Sequence, residues 1–181
     1  MSLTIVAYGH PAPQGSKRHV GHGIMVESSK AVKPWRQDVK AAAERFIESQ
    51  RDRGVAWSPL DGPLVVRMVF TFARPRSHYR TGRNAHLLRD AAPARPSTKP
   101  DLSKLLRSTE DALTDAGLWR DDARVVDYRR AAKVWAGEDP LALNTPGVFI
   151  TVRMLADSLD PATGGAAAND RRPSRPGVIL P

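Results

Sequence analysis

Four segments of the chain carry the hydrophobic pattern of β-strands. Residues 3–8 (LTIVAY) and 64–72 (LVVRMVFTF) are apolar runs next to glycine and proline turn signals, and the second is β-branched and aromatic enough for the middle of a sheet. Residues 124–135 alternate partially through Val126, Tyr128 and Val134, and residues 148–155 (VFITVRML) alternate in the same way. The pattern predicts four strands, with 64–72 at the centre.

Apolar side chains at helical spacing predict a first helix at residues 34–53. Pro34 suits an early position of that helix, and Trp35, Val39, Phe46 and Ile47 fall on its inner side.

A second helix is predicted from Asp101 to Ala116. Pro100 disfavours helical geometry at the residue before it, and the side chain of Asp101 can accept hydrogen bonds from the free amides of the first turn. Gly117 suits the left-handed backbone conformation that commonly ends a helix. Its predicted inner set is Leu102, Leu105, Leu106, Thr109, Ala112, Leu113 and Ala116, and its outer set is Lys104, Arg107, Ser108, Asp111 and Asp115.

The order of these elements is strand, helix, strand, loop, helix, strand, strand. It predicts an α+β domain over residues 1–156, with a small mixed β-sheet that carries the two main helices on one face. Residues 157–181 contain almost no large apolar side chain before Val178, so we expect a disordered tail there.

Composition narrows the possible functions. The chain has 181 residues, 41% of them hydrophobic, and no cysteine, which excludes disulfides and thiolate metal sites. No apolar run could span a bilayer and no signal peptide is evident, so we expect a cytoplasmic protein. A net charge of +9 favours a polyanionic partner such as nucleic acid, although ribosomal and structural proteins share that property.

Asp121 and Asp122 stand together at the predicted corner between the second helix and the next strand. Adjacent carboxylates offer the oxygen ligands that Mg²⁺ and Mn²⁺ prefer, although a solvated turn has the same composition. A helix from Asp101 to Ala116 is about 22 Å long, so Asp122 starts far from Asp101. Either residues 118–121 run back along the helix, or a second subunit supplies one of the two carboxylates.

The segment 99–127 (KPDLSKLLRSTEDALTDAGLWRDDARVVD) resembles the RusA family of Holliday junction resolvases, through K-P-D, D-A-L-T-x-A-G-x-W and D-D at fixed spacing. The resemblance implies a homodimeric, Mg²⁺-dependent phage or prophage endodeoxyribonuclease, with Mn²⁺ as a possible substitute. Such an enzyme resolves four-way DNA junctions by paired symmetric nicks in recombination and repair. The family's catalytic carboxylates fall on Asp101 and Asp122, with Asp121 beside the second as a further metal ligand.

The chain departs from the family pattern at three positions of the helix. Ser103 stands where the family has its second carboxylate, Lys104 where it often has asparagine, and Arg107 where it has a catalytic lysine. Arg107 keeps the charge and can hold a phosphate with two donors, and Lys104 would offset phosphate charge beside it. Asp111 lies about 15 Å from Asp101 along the helix, so we assign it to an ion pair or the dimer contact.

Ser103 leaves two alternatives to a junction resolvase. One is a RusA-like protein that binds branched DNA but cuts it weakly or not at all, and the other is a nuclease that cuts branched DNA more broadly. Mg²⁺ sites often use only one or two protein carboxylates, so cleavage can survive the loss of one.

Two basic segments are candidate DNA contacts. Residues 13–19 resemble the family loop after the first strand, where Lys17 and Arg18 would meet phosphates; a flexible basic loop is the alternative. Residues 74–99 have a net charge of +6, and we interpret them as a mobile DNA-clasping arm leading into Asp101, with a basic insertion of no function as the alternative. The predicted contacts in this arm are Arg74, Arg76, Arg80, Arg83 and Lys99.

Overall fold

The computed structural model describes residues 2–15, 17–19, 25–27 and 30–155, without the side chains of residues 17–19 and 25–27. The tail predicted at residues 157–181, and the side chains of Lys17 and Arg18, therefore lie outside the described residues. Within the described chain, neither helix is long and apolar enough to cross a bilayer.

The main sheet has the order β1-β6-β4-β5, formed by β1 (Ser2–Tyr8), β4 (Leu64–Phe72), β5 (Val125–Trp135) and β6 (Gly147–Met154). β6 pairs antiparallel with both β1 and β4, whereas β5 pairs parallel with β4. The predicted mixed sheet of four strands is confirmed. A small antiparallel pair, β2 (Lys17–His19) with β3 (Met25–Glu27), was not predicted, because three-residue strands leave no periodic signal.

Both helices, α1 (Val32–Asp52) and α2 (Leu102–Asp115), pack on one face of this sheet, as the sequence predicted. The residues of β1, β4 and β6 that face them are in register, for example Ile5 with Ile150 and Ile150 with Met68. Trp35 of α1, 1% exposed, donates its indole N–H to Thr109 Oγ1 of α2 at 3.2 Å. The core therefore joins both helices to the inner face of the sheet.

The basic loop, residues 74–99, connects β4 to α2 and is held at its base. It contains 3₁₀ turns at Arg76–His78 and Gly82–Asn84 and a bridge between Tyr79 and Leu88. Trp135 Nε1 donates to Pro93 O at 3.0 Å at the base, whereas residues 81–91 are exposed. The predicted mobile arm is therefore held by hydrogen bonds at its base, and its exposed part is residues 81–91.

Candidate functional site

Asp101 lies at the N-cap of α2, as predicted, but its side chain makes no capping hydrogen bond. The predicted capping role of this carboxylate is therefore wrong; the backbone carbonyl of Asp101 accepts from Leu105 N–H at 3.1 Å instead. The carboxylate lies 3.4 Å from Lys104 Nζ, and both side chains are about half exposed. Because the helix does not use this carboxylate, it is accessible to a ligand.

Lys133 of β5 fixes the segment that leads into Asp101. Its ammonium group donates to Thr98 O at 2.6 Å and to Pro100 O at 2.8 Å. Two charge-assisted hydrogen bonds to backbone carbonyls hold the start of α2 against the edge strand. Lys133 thus sets the position of Asp101 relative to the sheet.

Ser108 lies on the buried side of α2, so its predicted outward position is wrong. Its hydroxyl donates to Ala12 O at 2.7 Å, and Gln14 N–H donates to Lys104 O at 2.9 Å. The small hydroxyl lets the segment after β1 approach the helix closely and gives a buried carbonyl its donor. As a result, the Gln14 side chain lies beside the outer face of α2.

The turn that carries Asp121 and Asp122 is held by contacts distant in sequence. Leu60 N–H donates to Leu118 O at 3.0 Å, and Leu60 O accepts from Arg120 N–H at 3.0 Å. The side chain of Asp121 accepts from Ala123 N–H at 2.8 Å and so caps the 3₁₀ turn Asp122–Arg124. Asp121 therefore has a structural partner, while Asp122 is exposed.

Asp61 braces the same turn from the loop after α1. Its carboxylate lies 2.9 Å from Arg120 and 2.8 Å from Arg124, on either side of the aspartate pair. The hydrogen bond from Arg120 lowers the pKa of Asp61, with further lowering by the charges of both arginines. This brace was not predictable from sequence, because Asp61 lies in a glycine- and proline-rich loop without periodic pattern.

Asp121 and Asp122 line one open cleft of about 480 Å³ together with Arg107. The sequence analysis offered two arrangements, and the first had residues 118–121 running back along α2. The turn does run back in this way, but it reaches only the middle of the helix. Asp101 does not line the cleft; it lies six residues before Arg107, about 9 Å along the helix axis. The complete lining is Gln14, Arg36, Arg107, Asp111, Thr114, Asp115, Asp121 and Asp122.

Some charged side chains of the cleft already form ion pairs within the protein, and others are free to contact a ligand. Arg36 lies 3.4 Å from Asp111 and 2.8 Å from Asp115, which confirms the ion pair expected for Asp111. Among the described residues, the side-chain oxygen of Gln14 is buried without a hydrogen-bond partner. Arg107 and Asp122 are exposed and are therefore available to a ligand.

Glu110 is a half-buried carboxylate beside this cleft that the sequence analysis did not select. Burial raises its pKa to about 7, with further raising by the charges of Asp122 and Asp111 and some lowering by Arg107. Its position three residues after Arg107 on the same helix was the available signal. Glu110 brings additional negative charge close to Asp122.

The carboxylates in the cleft have the donor chemistry of a Mg²⁺ site, since all their ligand atoms are hard oxygens. Within the described part of the chain, however, no group of three or more acidic or histidine side chains could hold a metal ion. Asp121 and Asp122 line the cleft, whereas Asp101 lies outside it. The oxygen donors of the cleft fit Mg²⁺, which often takes only one or two protein carboxylates and completes its coordination with water and phosphate oxygens.

Several basic residues predicted to bind DNA are exposed near α2 or along the loop. Arg107 lies in the cleft, Lys104 beside Asp101, and Lys99 two residues before Asp101. Arg76 and Arg83 are exposed in the two 3₁₀ turns of the basic loop. These five side chains are accessible to a polyanion.

Arg74 is buried, unlike these residues, so its predicted contact with DNA is corrected. Its side chain is 5% exposed, forms an ion pair with Glu138, and lies over the Trp135 ring at 4.9 Å. The hydrogen bond from Arg74 lowers the pKa of Glu138 and raises that of Arg74. Arg80 is more accessible, at 44% exposure, although Asp90 lies 2.8 Å from it.

The fold is a small α+β domain in which carboxylates and arginines share one cleft, an arrangement suited to binding phosphate groups and cations. A model of the endodeoxyribonuclease RusA family matches residues 9–153, which include every element of the site. This chain belongs to the RusA endodeoxyribonuclease family.

A curated relative matches the segment around α2. The crossover junction endodeoxyribonuclease rusA of Enterobacteria phage 82 is 62% identical over 29 residues. That match covers 16% of this chain and only 24% of the relative's length.

Proposed function

We propose that this chain is a Mg²⁺-dependent endodeoxyribonuclease that resolves four-way DNA junctions as a homodimer. The observation that carries the proposal is that Arg107 and Asp122 line one cleft in a member of the RusA family. The phage relative is named as a crossover junction enzyme, which supports the same substrate for this chain.

In this proposal the residues of the cleft hold the scissile phosphate and its attacking water. Arg107 binds the phosphate oxygens with two donors, and Lys104 offsets phosphate charge one turn earlier on α2. Asp121 keeps the turn in shape through its bond to Ala123.

The residues that would hold Mg²⁺ are Asp122, with Asp121 beside it, and Asp101 of a second subunit. The position of Asp101 outside the cleft supports a contribution from a second subunit, and with it the homodimer. A bound Mg²⁺, or Mn²⁺ in its place, would supply a Lewis acid for the phosphate and lower the pKa of a bound water. Two sites related by a two-fold axis suit two symmetric nicks in a junction.

Cleavage of a synthetic four-way junction in Mg²⁺ and in Mn²⁺ tests the proposal. We expect symmetric nicks from the wild type, and a fall in rate of about 10²-fold or more for Asp122→Asn, since a site carboxylate is removed. Asp115→Asn is the matched control, because it removes the same charge from the same cleft at a residue that Arg36 holds. Equal loss in both variants, or no nicks from the wild type, would contradict the proposal.

A second candidate is a branched-DNA-binding protein that cuts weakly or not at all. Ser103, exposed in the first turn of α2, and the absence of a three-carboxylate group among the described residues favour it. Tight junction binding without nicks in either metal, and cleavage gained by Ser103→Asp, would identify this function. A panel of junctions, flaps and linear duplexes at one salt concentration distinguishes a resolvase from a broader nuclease.

A further inference from the structure

The face of the sheet opposite the helices carries a basic cavity separate from the cleft. It has a volume of about 240 Å³ and contains three arginines, one from each of three adjacent strands: Arg67 of β4, Arg129 of β5 and Arg153 of β6. Ser2 and Thr151 add two hydroxyls.

Strand register places these side chains on one surface. Arg67 is paired with Thr151, and Arg153 is paired with Ser2 on one side and with Val65 on the other. Residues directly or diagonally opposite across paired strands are close enough for long side chains to meet. Met68 and Ile150, one position along, face the helices instead, so α1 and α2 cannot cover this cavity.

The charge of this cavity is not neutralised by the described residues. Neither Arg67 nor Arg153 has an acidic side chain within ion-pair distance in that part of the chain, and Arg129 has only Asp127, at 3.6 Å. Arg67 Nε is buried and has no hydrogen-bond partner among the described groups. A buried charged donor without an acceptor costs free energy, and so do neighbouring like charges.

We propose that Arg67, Arg129 and Arg153 form a binding site for a phosphate group. Guanidinium groups match phosphate oxygens with paired N–H donors, and the hydroxyls of Ser2 and Thr151 can donate to the remaining oxygens. A phosphate would offset the repulsion between the three arginines that line the cavity. The sheet separates this site from the cleft, so its ligand differs from the scissile phosphate.

Either the DNA backbone or a free phosphate can carry this group, because both present the same oxygens. A DNA phosphate would add a contact on a second side of the molecule, as a branched substrate with several arms allows. The inference goes beyond the proposed nuclease function, and its test measures binding and stability, not cleavage.

The first experiment measures Tm during a titration with inorganic phosphate, against chloride at equal ionic strength. We expect a saturable rise of roughly 3–6 °C for the wild type at tenfold Kd, lost in the double variant Arg67→Gln/Arg153→Gln. The control Arg45→Gln/Arg51→Gln removes the same charge from exposed positions of α1 and should keep the rise. Without phosphate, the Arg67→Gln/Arg153→Gln variant should match or exceed the Tm of the wild type, because glutamine removes repulsion and keeps most of the stem.

The second experiment compares the salt dependence of junction binding for the same proteins. If DNA supplies the phosphate, the slope of log K against log[salt] should decrease in magnitude by about 0.9 in the Arg67→Gln/Arg153→Gln variant, for one lost phosphate, and stay unchanged in the control. If the slope is unchanged while the Tm response is lost, a free phosphate is the ligand. A phosphate response that is absent from the wild type, or that survives Arg67→Gln/Arg153→Gln, overturns the proposal.

Discussion

At the scale of single residues, the surroundings of Glu110 bring the pKa of its carboxyl group close to neutral pH. Its folded-state pKa of about 7 exceeds the ordinary 4.5, so the folded protein binds a proton more tightly than the unfolded chain. The free energy of unfolding contributed by this proton is present below pH 4.5 and is lost as pH rises to about 7. At pH 8 an ionised Glu110 therefore destabilises the fold.

Replacing Glu110 by glutamine should stabilise the protein at pH 8 and leave it nearly unchanged at pH 5. We expect a gain of about 1–2 kcal/mol at pH 8, reduced from the full linkage value because the side chain retains contact with solvent. Urea denaturation at the two pH values measures it. The control Glu48→Gln, at an exposed position of α1, should change the free energy of unfolding by less than about 0.5 kcal/mol at both pH values. An equal gain for Glu110→Gln at pH 5 and pH 8 would show that ionisation of Glu110 is not the cause.

The candidate site was predictable from sequence only in part. Motif spacing selected Asp122 and Arg107, which line one cleft, because their positions follow from one helix and the turn after it. It did not select Gln14 or Asp61, which come from separate loops brought near by the fold. Arg74 was assigned to DNA for its charge alone, and composition does not reveal that Glu138 and Trp135 enclose it.

At the scale of elements, Asp139 anchors the base of the basic loop. Its side chain is 2% exposed and receives hydrogen bonds from Arg95, at 2.9 Å, and from both terminal nitrogens of Arg130. The hydrogen bond from Arg130 contributes most to a pKa of Asp139 well below its usual range. This carboxylate therefore joins the basic loop, β5 and the turn before β6.

Asp139→Asn should destabilise the protein by about 2 kcal/mol and loosen the basic loop. Removing one partner of a buried ion pair leaves uncompensated charge, and the exposure of Arg95 and Arg130 keeps the cost below that of a fully buried pair. Urea denaturation measures the first effect and limited trypsin digestion of residues 74–99 the second. Asp90→Asn, which breaks only the exposed pair with Arg80, should cost under about 0.5 kcal/mol; similar losses in both variants would refute the anchor.

At the scale of the whole molecule, the separation of Asp101 from Asp122 makes a site shared between subunits directly testable. Asp101→Asn and Asp122→Asn should each be inactive alone. In a shared site, a mixed dimer of the two variants has one site with both substitutions and one with neither. Restored activity would then be single-strand nicking.

Refolding the two inactive variants together, at equal concentrations, should therefore recover nicking of a four-way junction without paired resolution. About half of the dimers are mixed at equal concentrations, so we expect roughly a quarter of the wild-type sites. Nicked and linear products separate on native and denaturing gels. No recovery from a population shown to contain mixed dimers would place the whole site within one subunit.

The fold was more accessible from sequence than the site. β4 is apolar and buried along most of its length, and α1 and α2 each present one apolar side to the same core. Local pattern therefore predicted both helices and the four strands of the main sheet. The β2 and β3 pair and the fixed base of the basic loop depend on contacts between distant residues, which leave no periodic signal.

The basic loop lies inside the connection between two hydrogen-bonded strands, and both of its ends are fixed. Glu138 pairs with Arg74 at the first end, and Trp135, Asp139 and Lys133 hold residues 93–100 at the second. Closing a longer loop between fixed ends costs little, about 0.6 kcal/mol for each doubling of length. Evolution can therefore lengthen, shorten or recharge residues 81–91 with little effect on the placement of Asp101. In relatives, substrate preference should diverge through this segment faster than catalytic geometry.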